Sequence, residues 1–202
     1  EQNYRSTKNI VNAANSVKNV TATSLRIEAD DAVGTSSRHI TTQVGTLSVD
    51  STGTDSSGVY ITEDDGVVLD TVAASGASHV TSTGALNSPT GTALSGVISG
   101  GDVVLQTLDG ALSSVAMGGN LSAGGDVLMK TSEVPETAGT TNANIQLSGG
   151  VASQGGAISV DAADGVSLGA INLTTQGGSI DLSAADAVTM VDGTSLQSGN
   201  AN

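Results

Sequence analysis

GGAISVDAADGVSLGAINLTTQ at residues 155–176 is followed without a gap by GGSIDLSAADAVTMVDGTSLQS at residues 177–198, so the two segments repeat at a period of 22 residues. Each opens with a glycine pair and runs through an alternating apolar stretch (Ile158, Val160; Ile180, Leu182). Each then reaches an aspartate six residues after its first apolar anchor (Asp164; Asp186) and resumes with a second apolar pair. Period-two alternation gives a strand one buried and one wet face, and glycine pairs supply turn backbone that a side chain would obstruct. Each unit therefore reads as strand, turn, strand. A unit this short buries its apolar face only by stacking on its neighbours, and like positions meet like positions only when the strands run parallel. The predicted fold is all-β: a parallel β-helix (β-solenoid) of about 22 residues per coil with loop insertions, right-handed by the general preference of parallel crossovers.

Upstream, the same template places apolar anchors at Leu25, Leu47, Val59, Val103, Val127, Ile158 and Ile180, with a degenerate copy anchored at Ser78 and followed by Val80. The position six residues on is then Asp31, Gly53, Asp65, Gly84, Asp109, Glu133, Asp164 or Asp186, all turn-compatible or acidic. The anchor spacing ranges from 12 to 31 residues, which puts insertions in some turns, the longest around Thr131 to Asn144. Residues 1–21 depart from the idiom, being rich in Asn and lacking Gly, and are expected to form an irregular first coil or an end-covering segment. Residues 22–202 are expected to be one continuous solenoid, an excerpt of a longer chain.

Composition fits a thin interior. Aromatics are 1% of the chain, Tyr4 and Tyr60 alone, so a thick aromatic core is excluded, while 37% hydrophobic residues spread along the length argue against disorder. Six basic against 20 acidic residues give a formal charge of −14, which repels phosphate backbones and anionic membranes. Nucleic acid and membrane insertion are therefore not expected, and no apolar run reaches membrane-spanning length. With no cysteine, neither disulfides nor thiolate metal sites hold the fold. The first ten residues lack the layout of a signal peptide, so an export signal is expected elsewhere in the full protein.

The runs LRIEADDAV (residues 25–33), VYITEDDGVVLDTV (residues 59–72) and GGAISVDAADGVSLGAINLTTQGGSIDLSAADAV (residues 155–188) resemble repeats of giant bacterial surface adhesins of the filamentous-haemagglutinin-like class. The resemblance implies export to the extracellular bacterial cell surface, a long parallel β-helix, and a structural or adhesive role as stalk or surface layer. Its implied partners are neighbouring repeats or other copies of the protein, and host-cell or bacterial surface glycans. No catalytic residue comes with it, and the chain is not expected to be an enzyme.

Two other functions stay open. A β-helix can bind or cleave polysaccharide, but here the acids occur at turns along the whole chain and the aromatic platforms that hold sugars are missing apart from Tyr60. A head-to-tail filament subunit is the third, because uncapped solenoid ends template strand addition. No cofactor is expected except calcium, which suits oxygen-only ligands if the acidic turn positions stack. Its candidates are Glu63, Asp64 and Asp65, then Glu28, Asp30 and Asp31; the alternative is that turn acids bond nearby backbone. Neither the glycine-rich nonapeptide of calcium-binding β-rolls nor an EF-hand loop occurs. His39 and His79, far apart in Thr/Ser-rich sequence, read as surface or turn residues, and GGNLSAGG (residues 118–125) as a turn without a phosphate-loop lysine.

Overall fold

The computed structural model describes residues 2–6, 20–53, 57–88, 96–108, 115–132 and 143–199, with residues 2–6 described as backbone alone. The expected solenoid is there: every pairing between its strands is parallel, and the chain winds about seven turns of about 23 residues. No helix occurs among the described residues.

Each turn lays strands on three faces. The first face stacks Val59–Glu63, Ser78–Ser82, Val103–Thr107, Val127–Lys130, Ile158–Ala162 and Ile180–Ala184 in that order. The second stacks the start of Val67–Ala74 with Leu86–Ser88, Val115–Met117, Ile145–Leu147, Val166–Leu168 and Val188–Met190. The third begins with the later residues of Gln2–Ser6, Val20–Ala29 and Ile40–Ser51. The last of these crosses all three faces, Ile40–Thr42 pairing with Ile61–Glu63, Thr46–Leu47 with Val68–Leu69 and Ser48–Ser51 with Thr71–Ala74. It continues through the end of Val67–Ala74 to Gly96–Ser99, Asn120–Ala123, Val151–Ser153, Asn172–Thr175 and Ser195–Gln197.

Alternation along each strand sends aliphatics inward, where they form ladders. Ile61, Val80, Leu105, Met129 and Val160 stack through five coils of the first face, and Val49, Val72, Val97, Leu121, Val151 and Leu173 through six of the third, all of them buried. Burying such a side chain contributes about 1.5–3 kcal/mol, and with no aromatic in these ladders the aliphatics supply nearly all of the hydrophobic drive. At the final described coil the ladders lie open: Val188, Met190 and Leu196 are 39%, 50% and 40% exposed, beside a concavity of about 410 Å³ lined by Ser179, Ile180, Leu182, Leu196 and Ser198.

The upstream register differs from the template. Leu25 pairs with Leu47 and Leu47 with Leu69, a ladder separate from the one that joins Val59, Ser78, Val103, Val127, Ile158 and Ile180. The short interval between Leu47 and Val59 is therefore a step from face to face, not a short coil. Period-two alternation is the same on all three faces, so pattern matching alone cannot tell which face a strand joins. Asp31 and Gly53 accordingly leave the series that holds Asp65. Asp109, Glu133 and most of the expected insertion after Thr131 lie outside the described residues, as does most of the expected first coil.

The turns close by backbone contact. A Cβ on Gly124 would lie 2.0 Å from the Gly100 carbonyl oxygen of the coil before it, so a side chain there would push the coils apart. Gly96 has φ +141°, a backbone that other residues adopt only under strain.

A polar residue also interrupts the head of the first-face aliphatic ladder. Ser78 is fully buried between Val59 and Val103, and its hydroxyl has no hydrogen-bond partner. Ser78→Val completes the ladder and removes an unpaired polar atom, so it is expected to stabilise the fold by about 1 kcal/mol. A lowered denaturant midpoint for the variant would contradict this account.

Candidate functional site

The turn side chains stitch coil to coil. Asp102 Oδ1 accepts from the Asp126 N–H at 2.9 Å and Asp126 Oδ1 from the Ala157 N–H at 2.7 Å, spans of 24 and 31 residues. Asn120 and Asn144 accept likewise from the Gly150 and Gly165 N–H groups. At the corners, hydroxyls of Ser51, Ser99 and Ser153 donate to the carbonyls of Asp31, Gly76 and Gly125 in the preceding coil. Turn acids thus do bond backbone, but one coil away instead of two residues on.

The acidic turn positions follow the same rule. Asp164 and Asp186 stack through the Asp186 N–H and the Asp164 carbonyl, 3.0 Å apart, yet the buried Asp164 carboxylate turns the other way and accepts from the Ala143 N–H at 2.7 Å. Glu28 pairs with Arg26 at 2.8 Å. Asp30 and Asp31 lie at the following turn, where a Cβ on Gly53 would lie 1.6 Å from the Asp30 carbonyl oxygen and where Ser51 donates to the Asp31 carbonyl. Asp64 joins its neighbours through backbone, its N–H donating to Thr42 and its carbonyl accepting from Thr83. Among the described residues no three His, Cys, Asp or Glu side chains come together as a metal-holding group, so neither calcium triplet is assembled into one.

Glu63 stands apart from its two acidic neighbours. It ends the strand Val59–Glu63 on the inward side, fully buried, where the ladder turns polar: Thr42, Glu63, Ser82 and Thr107 occupy successive coils. Its Oε1 accepts from the Val44 N–H at 2.8 Å and its Oε2 from the Thr42 hydroxyl at 2.5 Å. Burial pushes its carboxyl up to about 7 against these two hydrogen bonds, with Asp65 adding to the rise. Asp65 in turn accepts from the Gln43 amide at 3.3 Å.

A second cluster was not legible as one. His39 directly precedes Ile40, which pairs with Ile61, and Tyr60 pairs with His79, so the three occupy equivalent half-buried positions of consecutive coils on the first face. The ring centroids of His39 and His79 lie 4.8 Å apart, closer than either is to Tyr60, at 5.8 and 6.4 Å. Tyr60 folds aside over Gly58, where a Cβ would sit 2.6 Å from the tyrosine ring. Thr62 Oγ1 holds His39 Nδ1 at 3.0 Å and Thr81 Oγ1 holds His79 Nε2 at 3.2 Å. Burial lowers both histidine pKa values, and the charge of His39 lowers that of His79 further. Half-buried Val104 and Leu128 continue this outward row. Its signal in the sequence is one residue wide, the position before each of Ile40, Ile61 and Val80, and the repeat template places no anchor at Ile40.

No family model, curated protein or solved structure matches the chain.

Glu63 gives the fold a pH dependence whose sign is fixed. Its folded pKa lies above the unfolded value of about 4.3, so its contribution is whole below that value and is lost as pH rises through about 7. The histidines act oppositely, since lowered folded pKa values cost stability as pH falls below about 6.5. Glu63→Gln keeps an acceptor for the Val44 N–H and lets the amide donate to Thr42. It is expected to raise stability at about pH 8 by about 3 kcal/mol and to flatten the slope between about pH 5 and 7, where folded and unfolded Glu63 differ in protonation. Thermal melts across that range check it, and an unchanged slope in the variant counts against a buried, titrating Glu63.

Proposed function

We propose that the chain is a structural and adhesive rod segment of a secreted bacterial cell-surface protein, in the manner of an adhesin stalk or surface layer. The observation that carries this reading is the use of the turn side chains: Asp102, Asn120, Asp126 and Asn144 each spend a carbonyl or carboxylate oxygen on the backbone of the next coil. Residues that could converge on a substrate instead hold a stack together, and at about 4.8 Å per coil about seven turns make a rod about 34 Å long. The likeness of the repeats to filamentous-haemagglutinin-like adhesins supports export and a surface location. Its partners on this reading are neighbouring coils or other copies, with surface glycans as the adhesive target.

A second reading, polysaccharide binding, draws on the outward row His39, Tyr60, His79, Val104 and Leu128, where alternation would otherwise place short polar residues. A third, a head-to-tail filament, draws on the all-parallel pairing of the strands, a stack that can be continued by strand addition.

The stitching is tested by Asn120→Ala and Asp126→Ala. Each leaves a backbone N–H of the next coil without its acceptor and is expected to cost about 1 kcal/mol and to speed subtilisin digestion. The wild-type chain is expected to resist the protease and, on a glycan array, to bind without cleaving. Rapid digestion of the wild type, or release of sugar products, would overturn the rod reading; salt-resistant fibres from the purified chain would favour the filament.

A further inference from the structure

We propose that His39 and His79 form a two-imidazole binding site for a divalent late-transition-metal cation such as zinc, copper or nickel. The case rests on geometry. The two residues come from coils separated by the one that carries Tyr60, yet theirs is the shortest ring contact of the three, with centroids 4.8 Å apart and ring planes 73° apart. Two imidazoles bonded to one ion through nitrogens at about 2.0–2.1 Å bring their rings to a separation of this order. Gly58 makes the approach feasible, because Tyr60 folds over it and leaves the space between the histidines.

The surroundings suit ligation. Nδ1 of His39 is held by the Thr62 hydroxyl and Nε2 of His79 by the Thr81 hydroxyl, and the His39 ring also hydrogen-bonds to the Ile61 backbone, the kind of support that fixes ring orientation at metal centres. Both rings are half-buried, and burial favours the neutral imidazole, the form that binds metal. Imidazole ligands select zinc, copper and nickel over calcium and magnesium, which prefer carboxylate, carbonyl and water oxygen. With two protein ligands, the remaining coordination positions fall to water, so the site is an open one. This inference is independent of the rod reading, since a stalk or a glycan binder could equally carry it.

The chain contains two histidines and no cysteine, so the wild-type protein alone is informative. Zinc chloride titrated into it at about pH 7.5 and followed by imidazole NMR resonances is expected to shift or broaden both histidines along one saturation curve, reversed by chelator, while calcium chloride does neither. His39→Gln and His79→Gln are each expected to weaken zinc binding roughly tenfold or more, because either change leaves a single ligand. Unperturbed resonances at millimolar zinc, perturbation of one histidine without the other, or zinc affinity in either variant equal to that of the wild type would overturn the site. The wild-type spectra decide the matter even where a variant fails to fold.

Discussion

Everything in this protein depends on like side chains meeting like side chains from one coil to the next. Parallel strands lie about 4.8 Å apart, so each inward residue touches the equivalent residue above and below, and a mismatch in size is felt by both neighbours. The ladder of Ile61, Val80, Leu105, Met129 and Val160 meets this constraint with aliphatics of similar bulk. An aromatic inside the coil would need partners in adjoining coils, and the chain has only two aromatic residues in all, Tyr4 and Tyr60. Tyr60 accordingly sits on the outer side of its strand.

The same constraint explains where polar chemistry goes. A narrow coil turns often, and each turn exposes backbone groups that the strand ladders do not satisfy. Short side chains at the corners reach those groups in the neighbouring coil: Ser51, Ser99 and Ser153 as donors, Asn120, Asp126 and Asn144 as acceptors. The acidic composition is thus partly a consequence of the fold, because a carboxylate accepting a backbone N–H makes a strong bond at small volume. Glu63 carries this into the interior, where two hydrogen bonds do not fully offset the loss of water and the carboxyl rises to about 7.

Stacking also gathers what the sequence disperses. In a solenoid, residues one coil apart are neighbours whatever lies in the intervening loop, and outward positions collect into rows as inward ones do. His39, Tyr60 and His79 are such a row, and their half-burial comes from one another's rings as well as from the sheet beneath. A bare three-sided stack therefore acquires local chemistry without a pocket in the usual sense.

The amino-acid sequence by itself determined the class of fold, because tandem 22-residue units from Gly155 to Ser198 and alternating aliphatics leave parallel stacking as the way to bury every copy. It also determined that the interior is aliphatic and that the turns are acidic. The tertiary structure alone decided which face each strand joins, since alternation looks the same on all three and the coil length varies with its loops; Leu47 thus belongs with Leu25 and Leu69, not with Val59. It likewise decided that Glu63 points inward while Asp64 and Asp65 mark the turn, and that His39 lies against His79. Those outcomes depend on register, and register is set by contacts between coils that no single repeat contains.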